Sequence, residues 1–422
     1  MAENRVVIVG GGFGGVYTAL ALEKLSRRCP ELQVTLVSRD NYLLITPLLF
    51  EAGSGVLEPR HTVCPIRPLL HRTRLILADV QQIDIRQRNV HALHRPDGHS
   101  YQLEYDHLVL AVGGLTNRAI IPGSRQAMAF KTLSDAIALR NKIIDVLEQA
   151  EVENDPVRRK YLLTMVIIGA GLVGVELVGE MTEFLRNICR TYRHVSSADI
   201  KLLLCEAGPT FLREMSGDLA DFARRTLEKR GVEIRTHTPV AQITVDGVTL
   251  QDGTHISAAI VLLCAGVAPN PLLAELPLTK DHGRILVEPT MRCPDHPEIW
   301  ALGDCAWLPT GQGPPYPQLA QHAMREARVL AGNIGQVIRG RPPIAFHYQT
   351  LGALAALGHY QGVGRVMRLR VRGFLAWWIW RTYYLGKMPG WRRRLRIMVD
   401  WTIALFFHND VVKLETRAEA DR

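Results

Sequence analysis

The chain has 422 residues, 47% of them hydrophobic, with seven cysteines and a formal charge of +9. That length and apolar content suffice for two or three packed domains and exclude a disordered chain or a small disulfide-stapled scaffold. The excess charge is local: ten lysines and arginines and one acid fall between residues 365 and 400, so the rest of the chain is neutral. Such a distribution argues against a generally basic protein and for one dedicated contact with an anionic surface.

In chain order, Met1 to Arg5 leads directly into the apolar run Val6 to Val9, which leaves no room for the basic start and cleavage site of a signal peptide. That run, "VVIVGGGFGG" (6–15), reads as a buried strand ending in GxGxxG and followed by a helical pattern. The pattern recurs at 165–174 as "MVIIGAGLVG", an offset of 159 residues. Gly10, Gly12 and Gly15 in the first copy, and Gly169, Gly171 and Gly174 in the second, have the spacing of a dinucleotide turn. The first glycine makes the strand-to-helix turn, the second lets backbone approach a pyrophosphate, and the third lets helix pack on strand. One copy is weak evidence; two, each directly after an apolar strand, predict two dinucleotide sites.

The strand after such a turn carries the group that meets the adenosine ribose. After the second copy, "DIKLLLCEAG" (199–208) places Glu206 at a strand end, where a carboxylate repels a 2′-phosphate and favours NADH over NADPH. The separation from Gly174 is long, which predicts a long intervening helix from Glu176 to about Tyr192. After the first copy the equivalent residue is Ser38, followed by Arg39; a hydroxyl still bonds a ribose, without charge assistance.

The cysteines, at 29, 64, 189, 205, 264, 293 and 305, are scattered, with no CxxC pair and no metal-ligand spacing. They read as reduced thiols in a cytosolic setting. No cysteine lies between 30 and 63, where a disulfide reductase of related fold needs a pair, and none follows Cys305.

The tail is the most unusual segment. "GFLAWWIWRTYYLG" (373–386) is apolar over most of its circumference, and Gly-Lys-Met-Pro-Gly at 386–390 separates it from a second predicted helix. There Arg392, Arg393, Arg396 and Asp400 fall within one quarter of the circumference, and Trp391, Leu395, Met398, Val399, Leu405 and Phe406 lie on the other side. This is the pattern of a helix lying in a membrane interface, with Arg394 the misfit. No run approaches eighteen apolar residues, so no span is predicted. Nucleic-acid binding is disfavoured because Leu, Ile, Val and Phe dominate the apolar face; a core or dimer face stays open beside the membrane reading.

The sequence resembles the type II NADH:quinone oxidoreductases over nearly its whole length. The resemblance rests on both glycine motifs, "NYLLITPLLFEAGSG" (41–55), "YDHLVLAVGG" (105–114), "VLLCAGV" (261–267), "IWALGDCAW" (299–307), "PQLAQHA" (317–323) and the tail from "GFLAWWIW". It implies FAD in the first site and NADH in the second. It further implies Asp304 on the ribityl chain, Thr46 and Pro47 against the isoalloxazine, and Gly113 and Gly266 where backbone passes close to cofactor. Glu176 is implied near the nicotinamide as a residue that relays or orients protons, against the alternative of a helix-start acid satisfied by the dipole. Ala320 and Gln321 match the family's AQxxxQ quinone motif, while Arg325 replaces its second glutamine: a cation there either bonds a quinone carbonyl, hinders an apolar headgroup, or points into solvent.

The expected fold is α/β, with two doubly wound Rossmann-like dinucleotide-binding domains and a C-terminal amphipathic helical membrane-docking segment. The expected divisions are 1–124 and 286–345 for FAD, 125–285 for NADH, and 346–422 for membrane association. The expected activity passes a hydride from NADH to FAD and two electrons to a lipid quinone, without proton pumping. The expected protein is a homodimer, peripheral to an anionic membrane on the cytoplasmic face of the inner (plasma) membrane, with neither metal nor nucleic acid. The alternative is a soluble NAD(P)H-dependent flavin reductase, or a sulfide:quinone-type reductase, with another acceptor.

Overall fold

The structure, a computed structural model, describes residues 4–414 apart from 28, 216, 312, 351, 368 and 408–410. Met1 to Glu3 and Arg368, which entered the readings of the amino terminus and the tail charge, lie outside the described residues. The chain forms two compact units: Met1–Leu44, Val63–Leu115 and Val267–Gln349 make the first, and Ile45–Thr62, Thr116–Gly266 and Thr350–Arg422 the second.

The first unit is built on a five-stranded parallel sheet in the order Ile299–Ala301, His107–Leu110, Asn4–Val9, Leu32–Ser38, Arg74–Leu77. Its inner strands read as unbroken apolar runs because both sheet faces are covered: Val6 to Val9 and Leu108 to Leu110 are all buried. Asn4–Val9 has the next strand in sequence on one side and a later one on the other. The strand order therefore reverses at Asn4–Val9, and the turn that follows opens at a switch point, where such sheets bind ligands. The helices Phe13–Ser26 and Ala320–Ile338 pack against each other. A three-stranded antiparallel sheet, 79–104, completes the unit's regular structure beside shorter pairings.

The second unit repeats the plan with different residues. Its parallel sheet runs Met128–Ala129, Ile260–Leu263, Thr164–Ile168, Lys201–Cys205, Val232–Arg235, and Thr164–Ile168 again sits where the order reverses. Helix Leu133–Val152 is started by a capping box in which the Thr132 hydroxyl accepts from the Asp135 amide and the Asp135 carboxylate accepts from the Thr132 amide. The helix after the second glycine turn runs Leu172–Ile188 and passes into a 3-10 turn, Cys189–Thr191. It starts earlier than the sequence predicts because Gly171, in extended conformation, is itself the N-cap.

The tail contains more than helices. Gly352–Ala356, Gly362–Val366 and Leu369–Arg372 form an antiparallel sheet that the sequence reading did not anticipate. Two helices follow, Phe374–Lys387 and Trp391–Phe406, separated at the predicted break, where Gly390 has φ +83°. Among the described residues no helix is long and apolar enough to cross a membrane.

Candidate active site

In each unit the glycine turn joins the central strand to a helix, as the motif requires. A Cβ at Gly15 would collide with the carbonyl oxygen of Gly10, and one at Gly174 with that of Gly169, so neither helix could seat on its strand with any larger residue. Gly12 faces open space, and the helix it caps, Phe13–Ser26, has no side-chain cap. Its first-turn N–H groups are thus presented toward a cradle that a side chain at Gly12 would fill. The second turn is less open: at Gly171 a Cβ would stand 3.2 Å from Glu214 Oε1, a carboxylate that no sequence signal pointed to.

The ribose candidates lie where the motif places them. Ser38 ends strand Leu32–Ser38, is buried, and its hydroxyl donates to the Asp40 carbonyl at 2.7 Å. A Cβ on Gly11 would strike the Ser38 hydroxyl, so the middle glycine of the GGG run is set by Ser38. Arg39 is exposed and pairs with Asp40 at 3.1 Å. Glu206 directly follows strand Lys201–Cys205; its Oε2 accepts from the Ala170 amide at 2.8 Å and its Oε1 from the Gly208 amide at 3.0 Å. The carboxylate is thereby tied to the second glycine turn itself.

Gly113 is left-handed with open space beside it, and Gly266, also left-handed, packs on Ile120 and Asn117. Asp304 lies in the 3-10 turn Gly303–Cys305 of the first unit, and the Gln318 amide donates to its carbonyl at 2.9 Å. Beneath that turn is a residue the sequence reading missed: buried Glu326, whose Oε2 accepts from the Gly303 amide at 2.7 Å. Burial pushes Glu326 up to about 7 despite that bond. Ala320 opens helix Ala320–Ile338. One turn on, Arg325 does not simply point into solvent: its Nη1 donates to the Gln321 carbonyl at 2.7 Å, and its guanidinium lies 4.3 Å from the Tyr348 ring centroid. Tyr348 in turn donates its hydroxyl to Gln321 Oε1 at 3.5 Å.

Thr46 and Pro47 begin a 3-10 turn, Thr46–Leu48, in the second unit. The same unit holds a group of buried carboxylates. Glu176 lies beyond the first turn of its helix, so the helix-start alternative does not describe it. Its Oε1 accepts from the Ala356 amide at 3.1 Å and from the Trp380 indole at 3.0 Å. Burial pushes it up to about 8, opposed by those two donors. Glu180, one turn further, is also raised by burial and by Glu51; the Ser54 hydroxyl reaches its Oε2 at 3.3 Å. Glu51 is held by Arg381, whose Nε and Nη2 both donate to Oε1, and by the Trp401 indole on Oε2 at 2.6 Å. Glu51 and Arg381 lie within or beside stretches that carry the resemblance, yet nothing in the sequence singled them or Glu180 out as a group; the fold brings the three together.

Residues 4–327 match the pyridine nucleotide-disulphide oxidoreductase family, and residues 350–410 match the NDH2 C-terminal domain. The type II NADH:quinone oxidoreductase Ndh of Mycobacterium tuberculosis is 31% identical over 418 residues, 95% of this chain and 88% of that protein. The chain belongs to the type II NADH:quinone oxidoreductases. The demethylphylloquinone reductase NdbB of Synechocystis is 31% identical over 410 residues, covering 95% of this chain and 96% of that protein. Among solved structures, Plasmodium falciparum NDH2 in complex with NADH matches with a TM-score of 0.89 at 19% identity, over 97% of this chain and all of that one, which is a likeness of fold. Membership of the type II family brings FAD and NADH as cofactors. The open Gly12 cradle and the uncapped helix start fit a pyrophosphate, and Glu206 beside the second turn fits an unphosphorylated ribose.

Proposed function

We propose that this chain oxidises NADH at the second glycine turn and, through FAD held at the first, reduces a lipid quinone to the quinol without pumping protons. The observation that carries this reading is the repetition of one strand order in one chain, each central strand running into a glycine turn. In our assignment, 1–124 and 286–345 bind FAD, 125–285 bind NADH, and 346–422 associate with membrane.

Bound FAD supplies the chemistry that links a two-electron hydride donor to a quinone. The protein's own tasks are orientation, exclusion of water and proton handling. Gly10, Gly12 and Gly15 would hold the FAD pyrophosphate, Ser38 and Arg39 its ribose end, and Asp304 its ribityl chain, with Gly113 and Ala320 of the same unit beside the ring. Gly169, Gly171, Gly174 and Gly266 with Glu206 hold NADH. Reduction of a quinone by NADH consumes one proton from solvent beside the hydride, and Glu176, a neutral buried acid at pH 7, is the group that passes it on. Gln321 and Arg325 border the quinone.

The tail fits a peripheral membrane contact. Phe374, Leu375 and Trp378 are exposed on one helix, and Trp391, Leu395, Met398, Ile403 and Phe406 on the next, which buries only Ile397 and Trp401. Aromatic residues favour the headgroup layer, and each adjoining cation adds about 1 kcal/mol on an anionic leaflet. We assign the protein to the cytoplasmic face of the inner membrane, as a homodimer. Co-sedimentation with phosphatidylglycerol and phosphatidylcholine vesicles at low and high salt tests the contact, and sedimentation velocity tests the dimer. Binding only to the anionic vesicles, weakened by salt, is expected; equal recovery in the supernatant with both lipids would remove the membrane assignment. Rapid-mixing reduction by NADH followed by quinone tests the activity.

A further inference from the structure

We propose that Trp380 is a positioning residue for Glu176: with the Ala356 amide it holds Oε1, so that Oε2 is the oxygen through which Glu176 exchanges its proton. The inference rests on the assignment of Glu176 as the proton-handling group. Two N–H donors converge on Oε1, at 3.0 Å from Trp380 Nε1 and 3.1 Å from the Ala356 amide. An oxygen that accepts two such bonds has both lone-pair directions filled and no place for a proton. The hydroxyl of the neutral acid is therefore Oε2, which no hydrogen bond reaches among the described residues. Glu176 as a whole is buried, at 8% exposure, so its Oε2 is not freely open to solvent.

The choice of a tryptophan has chemical content. An indole N–H donates and never accepts, so it fixes which oxygen is which. It carries no charge, so it favours the carboxylate less than a lysine or arginine would and leaves the acid able to take its proton back near neutral pH. Trp380 is itself immobilised: it is 1% exposed and meets the Tyr384 ring edge-on at 4.9 Å. The titratable surroundings leave these two donors as the main influence opposing burial. Glu180, on the same helix, raises Glu176 further. Tyr384, facing from the Trp380 helix, is held neutral by burial. Arg381 is committed to Glu51, the acid of helix Leu49–Gly53, and strand Gly352–Ala356 contributes a backbone amide.

Two variants remove the donor: W380F, and the full chain with Trp380 replaced by 3-benzothienylalanine, which keeps the bicyclic shape and puts sulfur where the N–H was. Two readouts apply to the holoenzyme. One is the pH dependence, from 6 to 10, of reoxidation of the NADH-reduced enzyme by a short-chain quinone. The other is the infrared carbonyl band of protonated Glu176, identified by its loss in E176Q. Both midpoints are expected to move up by roughly half a pH unit or more, and the band to a higher frequency, as the acid loses one donor. A lower rate with both midpoints unmoved would make Trp380 merely structural and overturn the inference. If E176Q leaves the rate profile intact, the proton assignment of Glu176 fails instead, while the infrared titration still decides whether Trp380 holds Oε1.

Discussion

The buried pair Glu51–Arg381 sets a measurable limit on how firmly the tail helices are held. Both side chains are almost wholly enclosed, at 2% and 8% exposure. Arg381 makes two bonds to one Glu51 oxygen, at 3.0 and 2.9 Å, and its guanidinium lies 4.3 Å from the Trp377 ring centroid and 4.6 Å from that of Trp401. Arg381→Met keeps most of the volume but leaves the Glu51 carboxylate buried without its cation, a change that costs about 3–5 kcal/mol in comparable sites. At about 1.4 kcal/mol per decade, that raises the open population of the region by roughly 100-fold or more. Native-state hydrogen exchange of amides 374–406, read by mass spectrometry, reports this locally in a protein too large for a single unfolding transition. Adding Glu51→Gln removes the stranded charge while leaving an acceptor for the Trp401 indole, and is expected to recover about half of the loss or more. A protection change below about fivefold in Arg381→Met, or no recovery in the double variant, would refute the reasoning.

Other outcomes follow from the same geometry. Glu176 is raised in the folded protein from an ordinary 4.5 to about 8, so its stabilising contribution is complete below 4.5 and is lost as pH rises toward 8; the opening free energy of helix Leu172–Ile188, read by hydrogen exchange, should fall across that window, and Glu176→Gln should flatten the fall. Glu206 beside the second turn should make NADPH reduce the flavin about tenfold or more slowly than NADH, and Glu206→Gln should narrow that ratio in stopped-flow bleaching. Arg325→Gln releases the Tyr348 ring and is expected to lower the quinone KM several-fold; a higher KM would show that the guanidinium bonds the quinone itself. Replacing Phe374, Leu375 and Trp378 together by serine should abolish vesicle co-sedimentation while flavin bleaching by NADH persists; retained binding would place the lipid contact elsewhere.

The parts of the fold encoded locally were legible. Strand, turn and helix follow one another within about twenty residues in each glycine motif, and the apolar runs at 6–9 and 165–168 hold their expected places as central strands. Glu206 was legible as well, because the end of the next strand is a fixed position in such a unit. The break between the two tail helices follows from Gly386 to Gly390. What sequence did not disclose depends on distant chain segments. Glu176 meets Trp380 across 204 positions, and Glu51 meets Arg381 across 330. Asp400, read as part of a polar helix face, instead bonds His61 at 2.5 Å and accepts from the Glu58 amide. The tail sheet escaped notice because Gly352–Ala356 is composed of Gly, Ala and Leu, which carry little strand preference. Gly11 gave no signal apart from its neighbours, since the need for glycine there comes from the Ser38 side chain.

The central claim, that one polypeptide passes electrons from NADH through FAD to a quinone, is tested most directly by anaerobic double-mixing stopped flow on the purified protein. The account predicts that one equivalent of NADH bleaches the flavin absorbance and that a short-chain quinone then restores it at a rate that rises with quinone concentration. Protein that carries no flavin, or flavin that NADH bleaches and quinone leaves reduced, would contradict it.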